Sequence, residues 1–242
     1  MAVVSVGGHE FDVDAVVFDK DDTLVDLNAT WGPVARTWIT VLAGGDADLV
    51  EEMSQRLGYD LAIGRVVPDS ILATHTLPEI GAHTVELLSA HGVDPETISE
   101  RIVAARAGLE TDVYGLPLEP LTELEPLLVS LRRAGLGIGV FTSDDERPTL
   151  HFLESCGIAH LIDVVVTGEQ LDRPKPHGDG LRRAAEVLGT TPQRLLMVGD
   201  SLHDHDAARE AGAWFVAVGH DTPAGRLADA TVEHVGEIVV AA

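Results

Sequence analysis

Residues Val16–Asp26 read VVFDKDDTLVD, a β-branched run that stops in a cluster of acidic side chains. The apolar stretch Val13–Phe18 has the composition of a buried strand, and it delivers Asp19 and Asp21 at its carboxyl end. Strand periodicity places those two side chains on one face. Close carboxylates repel unless a cation or a shared proton compensates them, although Asp-rich turns also serve as solvated helix N-caps. A second run of the same form, Leu195–Asp204 (LLMVGDSLHD), ends in Gly199, Asp200 and, a helical turn later, Asp204. Three further runs are expected to be strands: Leu136–Phe141, ending at Thr142, Asp163–Thr167, leading into GEQ, and Trp214–Val218.

Helical patterns at Leu121–Ala134, Arg147–Ser155, Gly178–Leu188 and Asp204–Ala211 lie between these runs. Such alternation predicts an α/β fold: a Rossmann-like parallel sheet with helices on both faces. Ligands in that architecture bind beyond the carboxyl ends of the strands. The polar motifs DKDDT, TSDD, TGEQ and GDS all fall at such ends. Upstream, Val3–Val6, Gly7-Gly8 and Phe11–Phe18 read as a hairpin leading into the first core strand.

The stretch between the first two core strands is far longer than an ordinary crossover. It contains amphipathic helical patterns at Thr30–Leu42, Ala47–Leu57, Pro78–His91 and Pro95–Leu109, separated by glycine-containing breakers. Residues 27–115 are therefore expected to form an inserted helical cap subdomain, with 1–26 and 116–242 as the core. Gly58–Leu77 breaks the helical pattern inside that insert and is expected to be loop or short strand.

Hard oxygen ligands from two strand ends suit Mg²⁺, which keeps waters and substrate phosphate among its ligands. Thr142 offers a hydroxyl and a backbone N–H to a phosphoryl oxygen. Lys175 stands between Pro174 and Pro176, and is one of only two lysines, the other being Lys20. The order DxDxT, a strand ending in Thr, Lys-Pro and GDSxxD resembles the haloacid dehalogenase (HAD) superfamily of phosphohydrolases. The likeness runs from Asp19 to Asp204 and is strongest to members with a helical cap after the first motif, the phosphoglycolate phosphatase-like enzymes.

The resemblance implies a Mg²⁺-dependent phosphatase acting on a small phosphorylated metabolite through an aspartyl-phosphate. It makes Asp19 the nucleophile and Asp21 the general acid and base. It assigns Thr142 and Lys175 to the transferring phosphoryl group, with Ser143 beside them. Asp200 would hold Mg²⁺ together with Asp19 and the backbone carbonyl of Asp21, and Asp204 would support them. The residue after Asp21 is commonly Gly in this family and is Asp22 here. Lys20 is expected to point its side chain away from Asp19 in support of the fold, and Asp144, Asp145 and Glu146 to form a solvated helix start. The alternatives are a phosphomutase, using the same two aspartates, and a non-catalytic HAD-like binding protein.

Composition narrows the partners. The 242 residues carry 40 Asp and Glu against 16 Lys and Arg, a formal charge of −24, which disfavours nucleic acid and anionic membrane as partners. The N-terminal stretch does not read as a secretory signal, no apolar run is long enough to span a bilayer, and a single Cys156 excludes an internal disulfide. The expected location is the cytoplasm. Scarce lysine with abundant Asp and Glu fits either a high-salt adaptation or a compositional bias of the genome. Among the remaining candidates, His203 and His205 lack convergent zinc ligands, Trp31 and Trp38 share a helix face and are expected to pack, and Arg65 is a candidate to reach a substrate anion from the insert.

Overall fold

The computed structural model describes residues 2–112 and 118–240. The chain separates into two compact units, one of Met1–Asp26 with Pro120–Ala242 and the other of Leu27–Glu119. The boundary expected at 115/116 lies outside the described residues.

The first unit opens with β1 (Ala2–Val6), β2 (His9–Val13) and β3 (Ala15–Phe18). The chain then enters the second unit, which holds α1 (Leu27–Ala43), α2 (Ala47–Leu57), β4 (Tyr59–Asp60), β5 (Arg65–Val66), α3 (Ile71–Thr74), α4 (Leu77–Ala90) and α5 (Pro95–Asp112). On its return come α6 (Leu124–Arg133), β6 (Gly137–Phe141), α7 (Glu146–Ser155), β7 (Val164–Val166), α8 (Asp179–Val187), β8 (Leu195–Gly199), α9 (Leu202–Ala211), β9 (Trp214–Val218), β10 (Ala230–Val232) and β11 (Val239–Val240).

The main sheet has six strands in the order β10-β9-β8-β3-β6-β7, and every neighbouring pair is parallel. All four residues of β3 are buried, because the strand is covered on both faces. Ala15 and Val17 join a core cluster with Leu181, Ala184, Ala207 and Ala208 of α8 and α9. Val16 and Phe18 alternate to the other side. The buried leucines Leu124, Leu127, Leu128 and Leu131 of α6, which packs on β6, lie outside that cluster. The strand order reverses at β3: the chain runs outward through β6 and β7, then returns to place β8 on the other side. A parallel sheet opens its ligand crevice at such a reversal, beyond the carboxyl ends.

One expectation is corrected. Val13–Phe18 is not a single strand, because Val13 ends β2 in a separate antiparallel sheet, β11-β1-β2, while β3 starts at Ala15. Asp14 is the joint. Its carboxylate accepts from Arg194 Nε at 2.6 Å and Thr190 Oγ1 at 2.8 Å, and its N–H donates to the Arg194 carbonyl at 2.9 Å. Those bonds pin the backbone where it passes from one sheet to the other.

The second unit has its own core, including Trp38, Ile39, Leu42, Met53, Leu57 and Leu88, with Trp31 packed against it, so both tryptophans serve packing. Asp46 caps α2 by accepting from the N–H groups of Asp48 and Leu49, and Gly58 ends it in the left-handed region at φ 87°. The segment that breaks the helical pattern forms the short antiparallel pair β4-β5, on which Arg65 is exposed. Among the described residues no helix is long and apolar enough to cross a membrane.

Candidate active site

Asp19 directly follows β3, and its N–H donates to the carbonyl of Val198 in β8 at 2.8 Å, which ties the two strand ends together. The turn after it folds on its own backbone. The Lys20 carbonyl accepts from the N–H groups of Leu24 (2.8 Å) and Val25 (3.1 Å), and Asp22 N–H donates to the Val25 carbonyl at 2.8 Å. This path puts Asp22 at φ 51°, in the left-handed region. Glycine reaches that region without steric cost, and Asp is among the few other residues that tolerate it. The departure from the family's Gly therefore keeps the turn.

Asp200 follows β8, and its Oδ1 accepts from the buried hydroxyl of Thr23 at 3.3 Å. Asp204 lies on α9, where its Oδ2 accepts from Ser201 N–H at 3.1 Å and Ser201 Oγ at 2.7 Å, a reciprocal cap of the helix. Gly199 is required for this approach, since a Cβ there would stand 2.4 Å from Asp204 Cγ. Lys175, 4% exposed, places Nζ 2.6 Å from Asp19 Oδ1 and 2.5 Å from Asp204 Oδ1. The same ammonium lies 4.8 Å from the centroid of the Phe141 ring.

Asp19, Asp200 and Asp204 offer carboxylate oxygens within 4.8 Å of one another. Asp19 is raised to about 7, by burial first and then by the charges of Asp204 and Asp21, against the pull of Lys175. Asp200 is raised well above the ordinary carboxylate range by burial and by the charges of Asp204, Asp19 and Asp22, against a pull from Lys175. Burial would lower Lys175, but Asp19 and Asp204 override it and raise it. One ammonium facing this set of carboxylates leaves an excess of negative charge with hard oxygen donors, which fits a divalent cation such as Mg²⁺.

Thr142, 1% exposed, follows β6, the neighbour of β3. Its N–H donates to the Val166 carbonyl at 3.1 Å, so the expected offer of that N–H to phosphate is withdrawn. Its Oγ1 accepts from Asp144 N–H at 3.1 Å and retains its own proton to donate. Ser143, next to it, is half-buried.

The acidic run after Thr142 corrects a second expectation. The Asp144 side chain is only 5% exposed and pairs with Lys20 Nζ at 3.0 Å, so it is no part of a solvated helix start. Lys20 in turn contacts Asp21 at 2.8 Å to Oδ1 and 2.7 Å to Oδ2. Asp144 is raised to about 6, by burial first and then by the charge of Asp21, against the pull of Lys20. Burial alone would lower Lys20; the charges of Asp21 and Asp144 raise it instead. Sequence reading missed this pair and the Thr23 contact. The signal for the pair was the scarcity of lysine, with one of the two standing between Asp19 and Asp21.

The model of the haloacid dehalogenase-like hydrolases matches residues 13–212. The chain belongs to that family. This hydrolase is 31% identical over 222 residues to the phosphoglycolate phosphatase of Escherichia coli O157:H7, covering 83% of its own length and 79% of the relative's. It is 35% identical over 205 residues to the tyrosine-protein kinase PtkA of Mycobacterium tuberculosis, covering 84% of itself and 61% of that longer relative. The crystal structure of a predicted phosphoglycolate phosphatase from Haemophilus somnus superposes with a TM-score of 0.69 at 18% identity, over 91% of the hydrolase and 93% of that chain. That likeness is one of fold.

Proposed function

We propose that the chain is a cytoplasmic, Mg²⁺-dependent phosphatase of small phosphorylated metabolites, working through a phosphoryl group carried on Asp19. The observation that carries this reading is the contact of Asp19 with Lys175 at 2.6 Å, beside the carboxylates of Asp200 and Asp204. The phosphatase name of the Escherichia coli relative points the same way. Residues 27–115 act as a cap that selects the substrate.

In the first displacement an Asp19 carboxylate oxygen attacks phosphorus and the bond to the leaving oxygen breaks, while Asp21 gives that oxygen a proton. In the second, Asp21 takes a proton from water, the water oxygen attacks phosphorus, and Asp19 leaves as a free carboxylate with inorganic phosphate released. Thr142 donates to a phosphoryl oxygen, with Ser143 beside it, and the Lys175 ammonium offsets charge on Asp19 and the transferring group. Asp19, Asp200 and the carbonyl of Asp21 would hold Mg²⁺, and Asp204 keeps Lys175 in place. Bound there, the ion supplies positive charge to the phosphoryl oxygens and keeps Asp19 ionised.

Stopped-flow release of nitrophenolate from p-nitrophenyl phosphate tests the division of labour. Asp19→Asn should give no burst. Asp21→Asn should give a burst approaching one equivalent and then stall, because a good leaving group needs little protonation while water still needs a base, a loss of about 10²–10⁴-fold. Phosphate trapped on Asp21, or steady turnover by Asp19→Asn, overturns the scheme. Release of an isomeric phosphoester instead of free phosphate would make the enzyme a phosphomutase.

A further inference from the structure

Both lysines of the chain are buried at this site, Lys20 at 3% and Lys175 at 4% exposure, yet only Lys175 faces the nucleophile. Lys20 Nζ straddles the Asp21 carboxylate, at 2.8 Å from Oδ1 and 2.7 Å from Oδ2, and meets Asp144 at 3.0 Å on its other side. Asp144 is itself fixed. Its Oδ1 accepts from Asp145 N–H at 2.8 Å, its carbonyl accepts from Gly168 N–H at 3.3 Å, and its own N–H donates to Thr142 Oγ1 at 3.1 Å. A continuous line of contacts therefore joins Thr142, at the end of β6, to Asp21, beyond the end of β3.

Stability does not call for a lysine there. A buried ion pair is commonly replaced by apolar side chains of similar volume at no loss, or with a gain, because desolvation consumes the attraction. What the ammonium does supply is direction. Asp21 lies in a turn, 14% exposed, and a carboxylate gripped at both oxygens has its rotamer chosen for it.

We propose that Lys20, anchored by Asp144, is a positioning residue for Asp21, holding its carboxylate where it serves both displacements. This rests on the role of Asp21 proposed above. Without Lys20, Asp21 swings free, whereas Asp19, held by Lys175 at 2.6 Å, still accepts phosphate.

The test uses the full chain with Mg²⁺ and p-nitrophenyl phosphate, reading the nitrophenolate burst and the steady rate separately. Lys20→Met should lower the steady rate about 10²-fold, the loss expected when a reacting group is misplaced by about 1 Å. The burst rate constant should fall far less. Placed in the Asp21→Asn background, Lys20→Met should change the burst by no more than about twofold, because the group it positions is already gone. A burst that falls as far as the steady rate, or a further large loss in that background, shows that Lys20 acts on Asp19 or on the fold and overturns the proposal. If Lys20→Met fails to fold with Asp144 left as an orphan charge, Lys20→Met/Asp144→Asn carries the same comparison with both charges removed. Asp144→Asn alone should give the same pattern in weaker form. Wild-type turnover by Asp21→Asn, read without touching Lys20, overturns the role of Asp21 itself and the positioning role with it.

Discussion

Asp22 sits at φ 51° beside Asp200 and adds its charge to that group. If the backbone is what matters, Asp22→Gly should fold and turn over, while Asp22→Val, whose branched Cβ crowds the left-handed region, should lose about 1–2 kcal/mol in urea melts. Equal stability of the two would remove the turn as the reason for the residue. The titration of the buried acids gives a second prediction. Asp19 at about 7 and Asp144 at about 6 both stand above their ordinary value when no metal is bound. Between the ordinary carboxylate range and pH 7, the folded chain thus holds protons that the unfolded chain has released. Metal-free stability from these groups falls as pH rises through that window. Asp14 and Asp179, lowered by hydrogen bonds from Arg194 and Arg173, respectively, lose their contribution only at lower pH, outside it. Mg²⁺ competes with those protons, so the rise in Tm on adding it should be larger at pH 8 than at pH 5.5. Asp200→Asn should shrink the difference. An equal rise at both pH values would mean that the cation binds elsewhere.

At the scale of elements, the junction of β8 with α9 is built on a close approach rather than on propensity. Gly199→Ala would drive a Cβ to 2.4 Å from Asp204 Cγ. It should cost about 1–3 kcal/mol by overpacking and lower kcat beyond what the unfolded fraction explains, because Asp204 holds Lys175. Gly81→Ala in α4, with nothing within 4 Å of the new Cβ, is the control and should be neutral or stabilising. Five strands of the main sheet were legible, because each is an apolar run closed by turn or polar residues. The same continuity hid the joint at Asp14: Val13 and Ala15 are both apolar, and only Arg194, far along the chain, tells them apart. The short β10 and β11 carry too few residues to make a pattern. In the site, Asp19, Asp200 and Asp204 could be expected to meet because each follows a strand end, and Lys175 stood out as one of two lysines, set between two prolines. Asp144 could not, because its burial follows from a tertiary partner, Lys20, while the acids around it read as solvated.

At the scale of the whole molecule, the charge sets the balance between repulsion and pairing. With 40 acidic groups against 16 Lys and Arg, 24 negative charges remain even if every base finds a partner. Several bases are already committed in partly exposed networks, such as Arg173 and Arg182 with Asp179 and Glu210, and Arg194 with Asp12 and Asp14. Such pairs are worth roughly 0–1 kcal/mol each and weaken in salt. The self-repulsion of the excess acids weakens too, as the Debye length falls from about 8 Å at 0.15 M to about 3 Å at 1 M. The two effects oppose each other, and the net charge of −24 decides the sign: like charges outnumber opposite ones, so screening should remove more repulsion than attraction. The buried contacts of Lys20 and Lys175 are shielded from the solvent ions and should hardly change. Tm is therefore expected to rise with KCl from low salt to 1 M at fixed Mg²⁺, and choline chloride at the same ionic strength should raise it alike, since screening needs no specific cation. A Tm that stays flat or falls would show that the exposed acids are spaced too widely to repel, and that the composition reflects genome bias instead of an adaptation to salt.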